Sequence, residues 1–322
     1  MRLRICAVAC FAVLALVLSA CAKEETSDKG GAKREGISIQ VVTHGQASDP
    51  FWSVVKNGVD AAKDDMGVEV TYSAPEKFDV VKMRQLIDSA IAKKPDGIAV
   101  SLPDPDALKG SVKKAVDAGI PVVTLNSGGD VSASTGALAH VGQSEREAGV
   151  AAGKRLKTAG ATNALCINQE VGNAALDQRC DGFEEGLGGT VRVIGVDLAD
   201  PTSARARVES VLKKQTDVDG ILTLGPTGAD PTIAALKKTG KFGDTKLGTF
   251  DLSPAVLEGV RDGDLLFAID QQQFLQGYLP VQQLALYAQL GVRPVGDVRT
   301  GPGFVTKENA AKAIKLSKEG LR

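Results

Sequence analysis

Short β-branched runs alternate with amphipathic stretches along most of this chain, and the alternation runs through twice. Residues 37–43, 68–72, 97–102 and 121–126 read as strands, with helices over 51–65, 80–93 and 106–118 between them. A second series follows. Its strands fall at 163–168, 191–196, 220–224, 246–251 and 265–269, and its helices near 145–157, 174–185, 204–214, 231–238 and 254–262. Parallel strands need a crossover, and a helix supplies it, so strict alternation implies parallel sheets covered by helices on both faces. About ten strands are many for one open sheet but ordinary for two sheets of five or six. The expected class is therefore α/β, with two doubly wound parallel-sheet domains.

A local echo supports two similar halves. Pro95-Asp96-Gly97-Ile98 opens a strand, and after a loop and a helix the next strand ends in Thr124-Leu125-Asn126. Val218-Asp219-Gly220-Ile221 opens the same series, which ends in Thr249-Phe250-Asp251. Asp-Gly suits a tight turn feeding a strand. Ligands of open α/β sheets sit at the carboxyl ends of the strands. Two facing domains would place both sets of ends around one cleft.

The amino terminus follows another logic. Arg2 and Arg4 precede an apolar run over 5–17, and Leu18-Ser19-Ala20 leads into Cys21. The run is short for a membrane span, which needs about 20 residues, and the layout is that of a signal peptide over 1–20. Leu-Ser-Ala-Cys resembles the lipobox of bacterial lipoproteins, which implies cleavage before Cys21 and a lipid on its thiol. A secretory signal cut elsewhere, or an uncleaved anchor, is the alternative. Residues 22–36 are charged and nearly free of large apolar side chains, and with Cys21 they form the expected flexible tether over 21–36. Only Cys166 and Cys180 remain in the folded body. An oxidising exterior favours a disulfide between them, and two buried thiols are the alternative.

Several function classes lose support. A formal net charge of −1 gives no field for nucleic acid. His44 and His140 are the only histidines, which leaves zinc chemistry little to stand on. Walker A and Rossmann glycine patterns, H-E-x-x-H and G-x-S-x-G are absent from the sequence. No cofactor and no catalytic residue is implied.

Six motifs, in order, resemble the ribose-type (type I, cluster B) periplasmic binding protein family. They are Asp49-Pro50-Phe51-Trp52, Thr124-Leu125-Asn126, Ala139-His140-Val141-Gly142-Gln143, the run 177–183 from Asp177 to Phe183, Gly248-Thr249-Phe250-Asp251, and Ala268-Ile269-Asp270-Gln271. The resemblance implies two lobes joined by three crossovers, near 140–143, 270–272 and 301–304. The lobes would be 37–141 plus 272–302, and 142–271 plus 303–322. It also implies a solute-binding component of an ABC importer at the outer face of the cell membrane, lipid-anchored, monomeric, and partnered by a permease and its ATPase. Within that family the chain resembles a polyol or sugar-binding branch.

A neutral polyol needs a partner for each buried hydroxyl, because an unmade hydrogen bond costs about 1–3 kcal/mol. Carboxylates accept, Arg donates, amides do both, and aromatic rings cover the CH faces. Phe51 and Trp52 fit as walls or, alternatively, as core anchors of the first helix, although neighbours about 100° apart cannot both face the core. Asp49 is a contact or an N-cap. Ser101 and Asn126 end strands and are contacts or turn residues. Gln143 stands at the first crossover, Asn173 before a helix, and Gln271 at the second crossover, with Gln272 and Gln273 as competitors.

The resemblance points Arg179 into the cleft, whereas its neighbours Asp177, Asp181 and Glu184 offer surface ion pairs of little worth. Asp251 ends a buried strand and needs a partner, for which Arg179 and ligand hydroxyls are candidates. The chain departs from the family where Asn126 replaces a frequent Asp, where no aromatic stands near Asp200-Pro201-Thr202, and where Gly225-Pro226 replaces Asn-Asp. These departures favour a ligand smaller or less ring-like than ribose, a sugar alcohol of the threitol or xylitol type or a pentose. Hexose, inositol and a furanosyl signal are the alternatives, as is a role in sensing only.

Overall fold

A computed structural model of the chain describes residues 36–45, 49–197 and 199–322. The signal segment, Cys21 and the tether up to residue 35 lie outside them. Two six-stranded sheets form. The first contains β1 (Ser38–Val42), β2 (Glu69–Ser73), β3 (Gly97–Val100), β4 (Val122–Asn126), β5 (Ala139–Gly142) and β11 (Val298–Arg299). The second contains β6 (Asn163–Asn168), β7 (Thr190–Gly195), β8 (Gly220–Thr223), β9 (Lys246–Phe250), β10 (Phe267–Asp270) and β12 (Gly303–Val305). The orders β2-β1-β3-β4-β5-β11 and β7-β6-β8-β9-β10-β12 repeat one topology. All pairings are parallel except β12, which runs antiparallel to β10.

Central strands β3, β4 and β8 are buried along their whole length, as apolar runs in the middle of a covered parallel sheet must be. The edge strands β2 and β7 are only partly buried. Between the strands run helices α1 (Pro50–Met66), α2 (Val80–Ala92), α3 (Pro105–Asp117), α4 (Gly129–Ser132), α5 (Glu145–Thr158), α6 (Ala174–Leu187), α7 (Pro201–Lys214), α8 (Pro226–Thr239), α9 (Pro254–Asp262), α10 (Gln273–Leu290) and α11 (Ala310–Lys318). Side-chain caps from Asp49, Asp79, Asp104, Ser144, Asn173, Asp200 and Ser253 satisfy orphan N–H groups at the starts of α1–α3, α5–α7 and α9. These starts follow strand carboxyl ends, so the same loops cap helices and line the space between the sheets.

The chain passes between the sheets three times, after β5, after β10 and between β11 and β12. In consequence α10 packs on α1 over the first sheet, while α5 packs on α6 over the second. Glycines permit both contacts. A Cβ at Gly58 would stand 2.0 Å from Phe274 O, and one at Gly277 1.9 Å from Val55 O. Across α5 and α6, a Cβ at Gly149 would stand 2.2 Å from Arg179 O, and one at Gly182 2.2 Å from Arg146 O.

The structure adds β5, β11, β12, α4 and α11, which the sequence reading did not list, and three further elements differ from it. Helix α7 begins at Pro201, where the Asp200 cap sets its start, rather than near 204. Helix α8 begins at Pro226 rather than 231, because Pro226 takes the first helical position and Pro231 is carried inside. Helix α10 was not expected: it is apolar on several faces and contains Pro280, so it shows no clean helical period. In the second sheet, Cys166 on β6 and Cys180 on α6 have sulfurs 2.11 Å apart and Cα atoms 5.8 Å apart.

Candidate functional site

Loops at the carboxyl ends of both sheets meet face to face. Ala174 N donates to Pro103 O at 2.8 Å, Gln178 Nε2 donates to Asp130 Oδ2 at 3.1 Å, and Asn173 Nδ2 lies 3.4 Å from His44 Nε2. The first sheet contributes His44, Asp49, Phe51, Trp52, Ser101 and Asn126, and the second contributes Gln169, Glu170, Asn173, Arg179 and Asp251. Gln143, Glu145 and Gln271 come from the crossings.

The two sheets use matching devices. Asn126 and Asp251, at the ends of the equivalent strands β4 and β9, both have φ of 63°. That left-handed conformation is uncommon except for Gly, Asn and Asp, and here it turns a polar side chain off the strand end. Each then meets a glutamine: Asn126 Nδ2 donates to Gln276 Oε1 at 3.0 Å, and Gln271 Nε2 donates to Asp251 Oδ1 at 2.5 Å. Gln276 Nε2 also donates to Gln271 O and to Thr300 Oγ1, and Gln272 Nε2 donates to Thr300 O. The second and third crossings are thus tied to both strand ends. Of the competing glutamines, Gln273 is fully buried, and its amide has no partner among the described residues.

Arg179 is buried and paired, but not with Asp251 as expected. Its Nε donates to Glu145 Oε2 at 2.6 Å and its Nη2 to Glu145 Oε1 at 3.2 Å. Nη1 donates to Leu224 O at 3.3 Å, and the guanidinium lies 4.3 Å from the centre of the Phe250 ring. The close α5–α6 approach places Glu145 on the guanidinium edge, which leaves Gln271 as the partner of Asp251. Burial works against the Arg179 charge, yet Glu145 and the nearby Asp251 and Glu170 outweigh it and raise the guanidinium pKa. Gln143 Nε2 donates to Glu145 Oε2 at 2.9 Å.

Burial dominates the remaining acids. It pushes Asp251 up to about 7, with Arg179 opposing and Asp49 and Glu145 adding to the rise. It raises Glu170 to about 7 and Asp49 to about 6. His44 is lowered to about 3 by burial and by the Arg179 charge, so its ring is neutral. Asp49 Oδ1 caps α1 by accepting from Phe51 N at 2.9 Å. Among the described residues, Asp49 Oδ2, Asp251 Oδ2 and the Gln169 amide make no hydrogen bond.

Other expected contacts have different local tasks. Ser101 Oγ accepts from His44 N at 3.1 Å and lies 2.8 Å from His44 Nδ1, so Ser101 holds His44 in place. Asn173 caps α6 with its carbonyl and donates to Glu170 Oε2 at 2.7 Å. Phe51 and Trp52 are both buried in the cluster that includes Val55 and Val59, contrary to the expectation that only one could face inward. The start of α1 is enclosed by His44 and Gly45 as well as by the sheet. The His44 ring lies 4.7 Å from Trp52, and a Cβ at Gly45 would overlap the indole at 2.0 Å.

His44, Glu145, Gln169 and Glu170 were not singled out from the sequence as site residues. Three stand in or beside loops without a local pattern, and Glu145 opens a charged helix start that reads as solvated. One signal was available for Gln169. Gly225, noted as a departure, leaves room for its amide, since a Cβ there would stand 2.7 Å from Gln169 Nε2. A cavity of about 580 Å³ lies at the free edge between the sheets, lined by Lys77 and Phe78 on one side and by Gln169, Glu170, Val171 and Ser203 on the other. A hollow of about 460 Å³ adjoins Trp52 and is lined by first-sheet residues including Tyr72 and Pro75.

Comparison with known proteins agrees with this architecture. A carbohydrate transporter from Acidothermus cellulolyticus, solved in complex with myo-inositol, is 38% identical with a TM-score of 0.85, covering 89% of this chain and 99% of that one. The xylose/arabinose-binding protein of Sulfolobus acidocaldarius is 30% identical over 292 residues, 84% of this chain and 71% of its own length. The xylitol-binding protein of Mycolicibacterium smegmatis is 24% identical over 331 residues, 97% of this chain and 88% of its own. Residues 39–291 match the model of the periplasmic binding protein domain. The chain therefore belongs to the periplasmic binding protein family.

Proposed function

We propose that this protein is the solute-binding component of an ABC importer and takes a small neutral sugar alcohol or pentose between its lobes. The observation that carries the reading is the charge balance of the cleft. Its buried cation, Arg179, is already met by Glu145, while Asp49, Glu170 and Asp251 are desolvated carboxyls without a counter-charge of their own. An anion would find Arg179 already paired, with Lys77 and Arg207 lining the outer cavity beside Glu170 rather than the carboxyls of Asp49 and Asp251. Hydroxyl groups would donate to Asp49 Oδ2 and Asp251 Oδ2, which make no hydrogen bond among the described residues. Asn126, Gln271, Asn173 and Gln143 add amide groups, Phe51 and Trp52 add apolar surface, and Ser101 acts through His44.

The lobes are proposed as 37–141 plus 272–302 and 142–271 plus 303–322, a division supported by the three chain crossings. Contacts from both lobes are complete only when the lobes are closed, so ligand shifts the population towards closure. The closed surface then meets a permease served by an ATPase. The protein binds and releases its ligand unchanged, works as a monomer, and is held at the outer face of the membrane through lipid on Cys21. The Cys166–Cys180 geometry supports a disulfide in that oxidising setting.

A cyclitol is the second reading, favoured by the 38% identical structure bound to myo-inositol. Thermal-shift screening of xylitol, threitol, xylose, arabinose, ribose, glucose and myo-inositol tests both. A rise in Tm with an alditol or pentose supports the first reading, and a larger rise with myo-inositol supports the second. No rise with any of them removes the neutral-polyol class.

A further inference from the structure

Three charged residues open α5, and they have different surroundings. Arg146 and Glu147 are exposed and make surface pairs with Glu185 at 2.8 Å and Arg299 at 2.6 Å. Glu145, immediately before them, is 4% exposed, and both of its oxygens are engaged. A surface acid could be exchanged at little consequence. A buried one beside the ligand-facing arginine could not.

The geometry points to Glu145 as the residue that reserves this cleft for uncharged ligands. A guanidinium recognises a carboxylate through two parallel N–H donors on one edge. In Arg179 the Nε/Nη2 edge is occupied by Glu145, and Nη1 spends a donor on Leu224 O. What remains is one N–H on each of Nη1 and Nη2, on a guanidinium whose charge Glu145 already balances, so these donors suit hydroxyl oxygens better than the carboxylate of an acid sugar. Glu145 also cancels the charge of Arg179, so an anion seated on the guanidinium would face Asp49, Glu170 and Asp251 with neither Arg179 nor the neutral His44 to compensate it.

Glu145 is held to this task from three sides. Gln143 donates to it from the first crossing, Ser144 caps the helix that carries it, and the Gly149 contact fixes the α5 backbone against Arg179 O. The side chain cannot turn away without leaving the guanidinium unpaired in a buried site. Glu145 is thus a specificity-determining residue that acts through Arg179.

This inference rests on the neutral-polyol reading, and calorimetry with matched ligands separates the two. The probes are xylitol and xylonate, which share a carbon chain and differ by a carboxylate. The wild-type protein is expected to bind xylitol in preference. Glu145→Gln, which keeps shape and removes one negative charge, is expected to weaken xylitol binding and to lower the xylitol-to-xylonate affinity ratio by at least about tenfold. Glu145→Asp keeps the charge and shortens the reach, so it is expected to weaken both ligands while holding the ratio within about threefold. The Asp variant carries the test if the Gln variant does not fold.

A ratio unmoved in Glu145→Gln, with both ligands weakened alike, would mean a structural role only and would overturn the inference. So would a ratio lost in Glu145→Asp. A wild-type protein that binds neither probe, nor any other neutral polyol, overturns the ligand reading itself, and the role of Glu145 falls with it.

Discussion

Proton uptake on closure is the most direct consequence of the buried acids, and it can be followed without any ligand. With the lobes apart, Asp251 would face water and titrate near its ordinary value of 3.8; with the lobes closed and empty it titrates at about 7. A carboxyl whose pKa rises on closure binds its proton more tightly in the closed form, so the empty closed form is favoured at low pH. That advantage is lost as pH rises from about 4 through about 7. For Asp251 alone the difference is on the order of 4 kcal/mol at neutral pH. Glu170, raised from 4.5 to about 7, and Asp49, raised from 3.8 to about 6, act in the same direction. The unliganded protein is therefore expected to be open at pH 8 and to close on acidification towards pH 5. Small-angle scattering on ligand-free protein should show a smaller radius of gyration at the acid end, with far-UV circular dichroism unchanged. Asp251→Asn should close more readily at neutral pH and shift less. A radius that stays constant from pH 5 to 8 would mean that the buried acids do not control closure, as would one that grows on acidification while the fold persists.

Other expectations follow from single contacts. Arg179→Gln leaves the buried Glu145 without its partner, so it should lower unfolding stability by about 3–5 kcal/mol in urea titration and weaken polyol binding in calorimetry. Gly225→Ala puts a methyl where the Gln169 amide lies, and its extended φ of 176° accommodates alanine. It should weaken ligand binding several-fold with little change in Tm. Replacing both Cys166 and Cys180 by alanine should lower stability by about 3 kcal/mol, the loop-closure value for a separation of 14 residues. The native protein should then show no thiol reactive to Ellman's reagent without reductant, apart from any unmodified cysteine of the amino-terminal segment.

Nine of the twelve described strands, and the helices between them, were legible because each central strand is a continuous apolar run bounded by turn residues and each outer helix keeps a polar face, whereas the short β5, β11 and β12 carry too few residues to show a run. The carboxyl-end residues Asn126 and Asp251 were legible for the same reason: they close equivalent strands, and the structure gives them the same left-handed turn. Helix α10 was hidden because burial against α1 and the sheet removes the polar face that creates a period. Partner identity was hidden more deeply. Asp251 and Arg179 look complementary in sequence, yet the glycine-mediated approach of α5 hands the arginine to Glu145, while Gln271 takes Asp251. Nothing local distinguishes Glu145 from Glu147, since their difference lies in which side of α5 meets α6. The roles of His44 and Glu170 arise only when loops from two sheets come within 3.8 Å of each other.

A crystal structure grown with the polyol that raises Tm most would test the account at its centre. Closed lobes are expected, with the molecule enclosed, its hydroxyls within hydrogen-bonding distance of Asp251 Oδ2 and an Arg179 N–H, and the Glu145–Arg179 pair intact. A ligand seated elsewhere, or an Arg179 that leaves Glu145 to bind it, would contradict the account.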